Sequence, residues 1–347
     1  MPCVRALLAF AVATILIPSS LRAVQSSGAA PALVPYVDTH THFDERDPGA
    51  AVQAVVEAAA RENAAMVYLQ IPPFDKDASN PYDAEVVMPA ARQHAGRVAV
   101  LGGGGSLNPI VMRAAATGDA GPNVQAQFKA RAESLLELGI AGFGEMAAEH
   151  FAGATPYESA PPDHPLYLLL ADIAAEHGVP IDLHLEAVPE AMPLPVELSS
   201  PPNAGRLRPN MAAFERLLAH NQRARIIWAH LGTDFTGART PAATRRLLRT
   251  HANLYLEIKH DPRAVGRNPI LVDGKVSAEW LALFEEFPDR FLIGSDQHYP
   301  EQGQPARWPS VVAILNQLPR PLREKIGAAN ARHVFARPAI TAAGKIR

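Results

Sequence analysis

Five short segments of the 347-residue chain place metal-ligating side chains at the ends of apolar runs. They are Val37-Asp38-Thr39-His40-Thr41-His42, Gly142-Phe143-Gly144-Glu145, Asp182-Leu183-His184, Trp228-Ala229-His230 and Gly294-Ser295-Asp296. Residues i and i+2 of a strand face one side, so His40 and His42 can share one ion. A single pair of this kind is a weak signal. Four histidines and two carboxylates at five strand ends are hard to reach by chance, and they predict a metal site. Imidazole and carboxylate without thiolate suit zinc, and also manganese, iron or nickel. The one cysteine, Cys3, excludes an intramolecular disulfide and a thiolate cage.

The other histidines act as a control. His94, His177, His220 and His251 fall at predicted helix C-termini, where a partly positive ring opposes the helix's negative end. These are read as structural. His150, His164, His260 and His298 fall in loops on the ligand side and are candidates for substrate contact. His333 lies in the C-terminal tail and is assigned neither role.

The elements that must position these residues follow from the hydropathy pattern. Apolar runs at 34–37, 65–71, 97–102, 140–144, 179–183, 224–229, 253–258 and 290–294 predict eight strands. Helical spacing fills stretches between them, at 50–61, 126–138, 165–177, 211–219, 240–250 and 278–287. Such alternation implies parallel pairing through right-handed crossovers. Near-continuous apolar strands imply that both faces are covered. Eight units predict a single-domain (β/α)8 barrel over 31–347, with the strand C-terminal ends converging on one mouth. An open doubly wound sheet, more often of five or six strands, is the alternative. Two long loops, 147–163 and 187–210, are read as functional lids; the second carries six of the 32 prolines. The glycine run 102–105 lacks the lysine of a P-loop and the spacing of a dinucleotide fingerprint. Close backbone approach explains it better.

At 48% hydrophobic and 19% charged, the chain is not a disordered one. A net charge of −3, from 32 basic and 35 acidic residues, gives no nucleic-acid footprint. Arg5 precedes an apolar run, 7–17, that is too short to span a bilayer, and small and polar residues follow. This predicts a signal peptide and short linker within 1–30, cleaved after Ala23 or Ala29, and export to the periplasm or beyond. An uncleaved anchor is the alternative. The mature chain would contain no cysteine and would depend on a large core. No later segment reaches ~18 apolar residues, so no membrane partner is expected after cleavage.

Together these motifs resemble the amidohydrolase superfamily of metal-dependent hydrolases, over essentially the whole mature chain. Segments 37–43, 228–232 and 293–296 are most similar to the amidohydrolase-2 branch, which also contains nonoxidative decarboxylases. Gly144-Glu145 is more similar to binuclear members such as the TatD-like and phosphotriesterase-like enzymes. Many relatives carry a carbamylated lysine on strand 4, where this chain has Glu145. The resemblance implies one ion on His40, His42 and Asp296, a second on His184 and His230, and Glu145 bridging. In a one-ion version His40, His42, His184 and Asp296 are the ligands, His230 orients water or substrate, and Glu145 stands behind the ligands. Zn2+ is the first choice, with Mn2+ or Fe2+ as alternatives, and such an ion brings bound water toward a pKa of ~7. Asp296 is the implied general base, with His230 beside it as a second catalytic residue.

The implied activity is hydrolysis of an ester, lactone or amide in a small molecule. The alternative is nonoxidative decarboxylation of an aromatic or unsaturated acid, and a homo-oligomer is compatible with either. A barrel retained only for binding is disfavoured by the intact ligand set. Asp38 is read as turned away from the histidine pair, in a core hydrogen bond. Glu186 either reaches the mouth or is a solvated loop residue. Lys259, Arg206 and Arg208 are candidates for gripping a substrate anion, since arginine pairs hold carboxylate or phosphate bidentately.

Overall fold

The computed structural model describes residues 31–151, 157–198, 205–260, 266–301 and 306–337. The predicted signal segment 1–30 lies outside the described residues. Eight strands form, close to the predicted positions. They are β1 (Tyr36–Phe43), β2 (Ala64–Gln70), β3 (Val98–Gly103), β4 (Gly142–His150), β5 (Pro180–Leu185), β6 (Arg225–Leu231), β7 (Leu254–Ile258) and β8 (Phe291–Ile293). Each pairs in parallel with its neighbour in chain order.

The eighth strand closes the ring by bending between two partners. Its first half lies on β7, where Gly294 N donates to the Ile258 carbonyl at 3.0 Å. A short continuation, β9 (Gln297–Tyr299), lies on β1 with Gln297 opposite Thr41. Between them Asp296 N donates to the His40 carbonyl at 2.7 Å. The fold is therefore the (β/α)8 barrel rather than the open sheet.

The helices Pro48–Glu62, Pro122–Leu138, Pro165–His177, Met211–His220, Pro241–Thr250 and Ala278–Glu286 match the predicted stretches. Four of the six open on proline, at a position whose N–H has no helical partner to lose. Asp47 and Thr240 add side-chain caps to Ala50 N and Ala243 N. His177 and His220 end their helices and His251 caps the next, as expected; His220 pairs with Asp172 at 3.0 Å.

Two corrections concern the loops. Strand β4 runs to His150, beyond the expected end at 144, because Glu158–Ser159 folds back antiparallel onto it. The 187–210 loop likewise contains an antiparallel pair, Met192–Pro193 with Arg206–Leu207. Both pairings satisfy backbone groups that a long irregular loop would leave open.

The barrel interior divides by depth. Its lower part is apolar, with Val37, Leu101, Ile227 and Leu292 buried together with Val334 and Phe335 of the C-terminal segment. The Phe335 ring stacks on Tyr68 at a centroid distance of 4.0 Å. A larger core, including Leu69, Phe214, Trp228 and Phe284, joins the strands to the helices. Full burial of each such side chain contributes about 1.5–3 kcal/mol. This apolar base leaves the polar residues to the other end.

Candidate metal centre

All six predicted ligands meet at the barrel mouth, around Glu145. Its Oε2 lies 3.6 Å from His40 Nε2 and 3.4 Å from His42 Nε2. Its Oε1 lies 2.8 Å from His184 Nδ1 and 3.1 Å from His230 Nε2. One carboxylate thus stands between two histidine pairs and gives each pair one oxygen. Asp296 Oδ1 lies 3.2 Å from His42 Nε2. Two triads, His40–Glu145–His230 and His40–His42–Asp296, hold their ligand atoms within 4.8 Å of one another.

Local backbone geometry aims these groups. His230 and Asp296 adopt left-handed φ values of 62° and 51°. Such a conformation costs a residue with a Cβ about 1–3 kcal/mol and persists only where the surroundings hold it. The His230 turn is held from both sides: its N–H donates to Glu257 Oε2 at 2.7 Å, and its carbonyl accepts from Arg239 Nη1 at 3.1 Å. Before Asp296, a Cβ on Gly294 would lie 2.4 Å from Glu257 Oε1 and 2.7 Å from His40 Cβ. Beneath Glu145, a Cβ on Gly104 would lie 2.2 Å from the Ile71 carbonyl and 2.7 Å from the Glu145 carbonyl. The glycine run therefore serves close backbone approach, as its composition suggested.

Each histidine also has an acceptor on its outer side. His42 Nδ1 is 3.2 Å from the Gln70 carbonyl, and His40 Nδ1 is 3.5 Å from Asp182 Oδ2. His184 Nε2 is 3.4 Å from Glu186 Oε1, and His230 Nδ1 is 3.4 Å from Glu257 Oε2. An outer acceptor draws the ring N–H outward and leaves the lone pair of the inner nitrogen facing the centre. Asp182, Glu257 and Gln70 are absent from the sequence-predicted set. The signal for the two carboxylates was spacing: Asp182 lies two residues before His184 on β5, and Glu257 lies two before Lys259, which directly follows β7.

Asp38 turns away from the histidine pair, as expected: its neighbour Val37 faces the barrel interior, and a register shift in β1 between Asp38 and Thr41 brings His40 and His42 to the inner face. Asp38 is buried and accepts from His40 N at 3.3 Å. It also accepts from Ser295 N at 2.9 Å and Ser295 Oγ at 2.6 Å, which ties β1 to the turn that carries Asp296. Burial pushes its carboxyl up to about 6, against those hydrogen bonds.

The residues fit a divalent cation. The His40 ring is completely buried, yet neither of its nitrogens makes a hydrogen bond among the described residues. Buried polar atoms left in that state are rare and costly. Burial would raise Glu145, but His40, His184 and His230 hold its carboxyl well below the usual range. Burial would lower His40, but Asp182 and Glu145 raise it well above the usual value. Nitrogen donors and negative oxygens thus surround a point that favours positive charge.

The remaining candidates divide. Lys259 Nζ pairs with Asp296 Oδ2, and Arg307, which the sequence reading did not select, joins it on the same oxygen. Glu186 is buried against His184, so the solvated reading does not hold. The half-buried His150 ring lies 4.4 Å from His184, and desolvation followed by the charge of His184 lowers its pKa to about 3. His164 caps the helix Pro165–His177, accepting from Leu166 N at 3.3 Å. His298 is exposed. Arg206 is exposed and donates to the Ala191 carbonyl at 3.2 Å, and Arg208 is also exposed. Among the described residues, neither arginine bonds to the six ligands.

The family described as Amidohydrolase (Amidohydro_2) matches residues 37–337. No curated protein matches. Several solved structures are similar in fold. A protein of Agrobacterium tumefaciens in its apo form is 13% identical, with 88% of this chain and 97% of that chain covered, at a TM-score of 0.51. A 2,6-dihydroxybenzoate decarboxylase complexed with 2,6-dihydroxybenzoate is 14% identical, with 87% and 99% covered, at a TM-score of 0.47. Dihydroorotase from Campylobacter jejuni is also 14% identical, with 88% and 84% covered, at a TM-score of 0.47. These identities bear on fold alone. The family match runs from β1 past the closing strand, and on it the chain belongs to the amidohydrolase family.

Proposed function

We propose that the protein is a two-metal hydrolase acting on an ester, lactone or amide bond of a small molecule. The supporting observation is the placement of Glu145, with one carboxylate oxygen toward each histidine pair. In this reading His40, His42 and Asp296 would hold one ion, His184 and His230 would hold the other, and Glu145 would serve both. A bound divalent metal supplies Lewis acidity, polarising the scissile carbonyl and bringing the pKa of water toward ~7. Zinc suits the nitrogen and oxygen donors, and manganese or iron are the alternatives.

The chain's own groups carry the protons. Asp296 Oδ1, turned toward the centre, takes the proton of the attacking water and returns it to the leaving group. Burial would raise the Asp296 carboxyl, but Lys259 and then His42 hold it well below the usual range, so it is ionised. Burial and then Lys259 lower His230, so its imidazole is neutral and keeps the lone pair that a metal ligand needs.

A panel of lactones, esters, dipeptides and phosphoesters, given to zinc- and manganese-loaded protein, tests this reading. Turnover of a carboxylic ester, lactone or amide is expected, with Asp296→Asn lowering kcat by about 10²–10⁴-fold. Release of CO2 from aromatic acids without any hydrolysis would instead indicate the decarboxylase. Unchanged turnover in Asp296→Asn would remove Asp296 from the mechanism.

A further inference from the structure

Lys259 and Arg307, from two different loops of the barrel mouth, converge on one oxygen. Lys259 directly follows β7, and Arg307 directly precedes the helix Trp308–Gln317. Lys259 Nζ and Arg307 Nη1 both pair with Asp296 Oδ2, the arginine at 2.5 Å, and Nη1 also donates to the Asp296 carbonyl. The other Asp296 oxygen faces His42, on the side of the metal donors. One carboxylate is therefore shared between a cation site and the metal centre. The lysine side chain is 11% exposed, and Asp296 is its one ion-pair partner among the described residues. A cation so far from water needs an anion beside it. Once Asp296 also serves a divalent ion, Lys259 is left under-neutralised, with the planar donors of Arg307 at its side.

We propose that Lys259 and Arg307 form an anion subsite at the barrel mouth, and that the substrate carries a carboxylate held there beside its scissile bond. The scissile bond rests on the hydrolase reading above; the anion subsite belongs to the two side chains and does not. The group that these two side chains already hold is a carboxylate, that of Asp296, and an external carboxylate is its direct chemical match. Arginine offers paired donors for a carboxylate's two oxygens, and lysine adds a point charge. The Arg307 side chain, at 24% exposed, leaves this edge reachable from solvent.

Asp296 is the internal carboxylate on this subsite, so removing its charge should open the subsite to an external one. Metal-free wild-type and Asp296→Asn proteins are titrated with acetate, and separately with inorganic phosphate, by calorimetry at neutral pH. Acetate is expected to bind Asp296→Asn about ten-fold more tightly than wild type, and adding Lys259→Met should abolish that gain. Adding Lys259→Arg in place of Lys259→Met keeps the charge and should preserve the gain, which separates loss of the cation from loss of fold. Equal acetate affinity with and without the Lys259 charge, or tighter binding of phosphate than acetate, would overturn the proposal. Because no turnover is read, a protein that hydrolyses nothing in the panel can still pass this test, and an active hydrolase can fail it.

Discussion

Each histidine of the centre has an acceptor within 3.5 Å of its outer nitrogen while its inner one faces Glu145. His40 is the buried extreme: Asp182 stands 3.5 Å behind it, and Gln70 Nε2 in turn donates to Asp182 Oδ2 at 3.0 Å. Exchanging Asp182 for asparagine keeps the shape and removes the charge that orients His40. Asp182→Asn is expected to weaken metal affinity by about 10–100-fold in a competition titration against a chelator. An affinity equal to wild type would show that this outer carboxylate does not orient the ring. At this scale the clustering of the four histidines with Glu145 and Asp296 was legible and its supports were not. A histidine at a strand end stands out in a sequence. Asp182 and Glu257 look like single polar blemishes in apolar strands, and only barrel geometry brings them behind a ring. Asp38 was legible as a core hydrogen-bonding residue, whereas the register shift that separates its face from that of His40 and His42 was not. Arg307 lies in a stretch without periodicity, and its role depends wholly on where β9 leaves the chain.

At the scale of elements, the site depends on how the eighth strand divides between two partners. The bend occurs over Gly294, Ser295 and Asp296, with Glu257 and His40 packed against the glycine. Gly294→Ala would push a methyl group into that contact, 2.4 Å from Glu257 Oε1. It is expected to cost about 1–3 kcal/mol of stability in thermal or denaturant unfolding, and to loosen metal binding with it. Gly96→Ala is the control, because a Cβ there meets nothing within 4 Å. Equal stability of the two variants would mean that the bend tolerates side chains. Strand and helix positions were legible because apolar runs, opening prolines and closing glycines mark them. The extension of β4, the Met192–Pro193 pair with Arg206–Leu207, and the bend after β8 were not. Each is a short pairing set by what lies beside it in space, and none leaves a period in the sequence.

Across the whole molecule, closure converts five separate strand ends into one site. The apolar base of the barrel, sealed by Val334 and Phe335, confines the ligands to the opposite end. Eight repeating units made that architecture legible from hydropathy alone. The sharing of Glu145 between two histidine pairs was not readable in this way, because it depends on the width of the closed ring and the angle at which each strand meets the mouth. The most direct measurement is the divalent metal content per chain of the purified, metal-loaded protein, compared with that of Glu145→Gln. Two ions per chain in the wild type, falling in Glu145→Gln, are predicted for a carboxylate that bridges. One ion per chain, unchanged by Glu145→Gln, would contradict it.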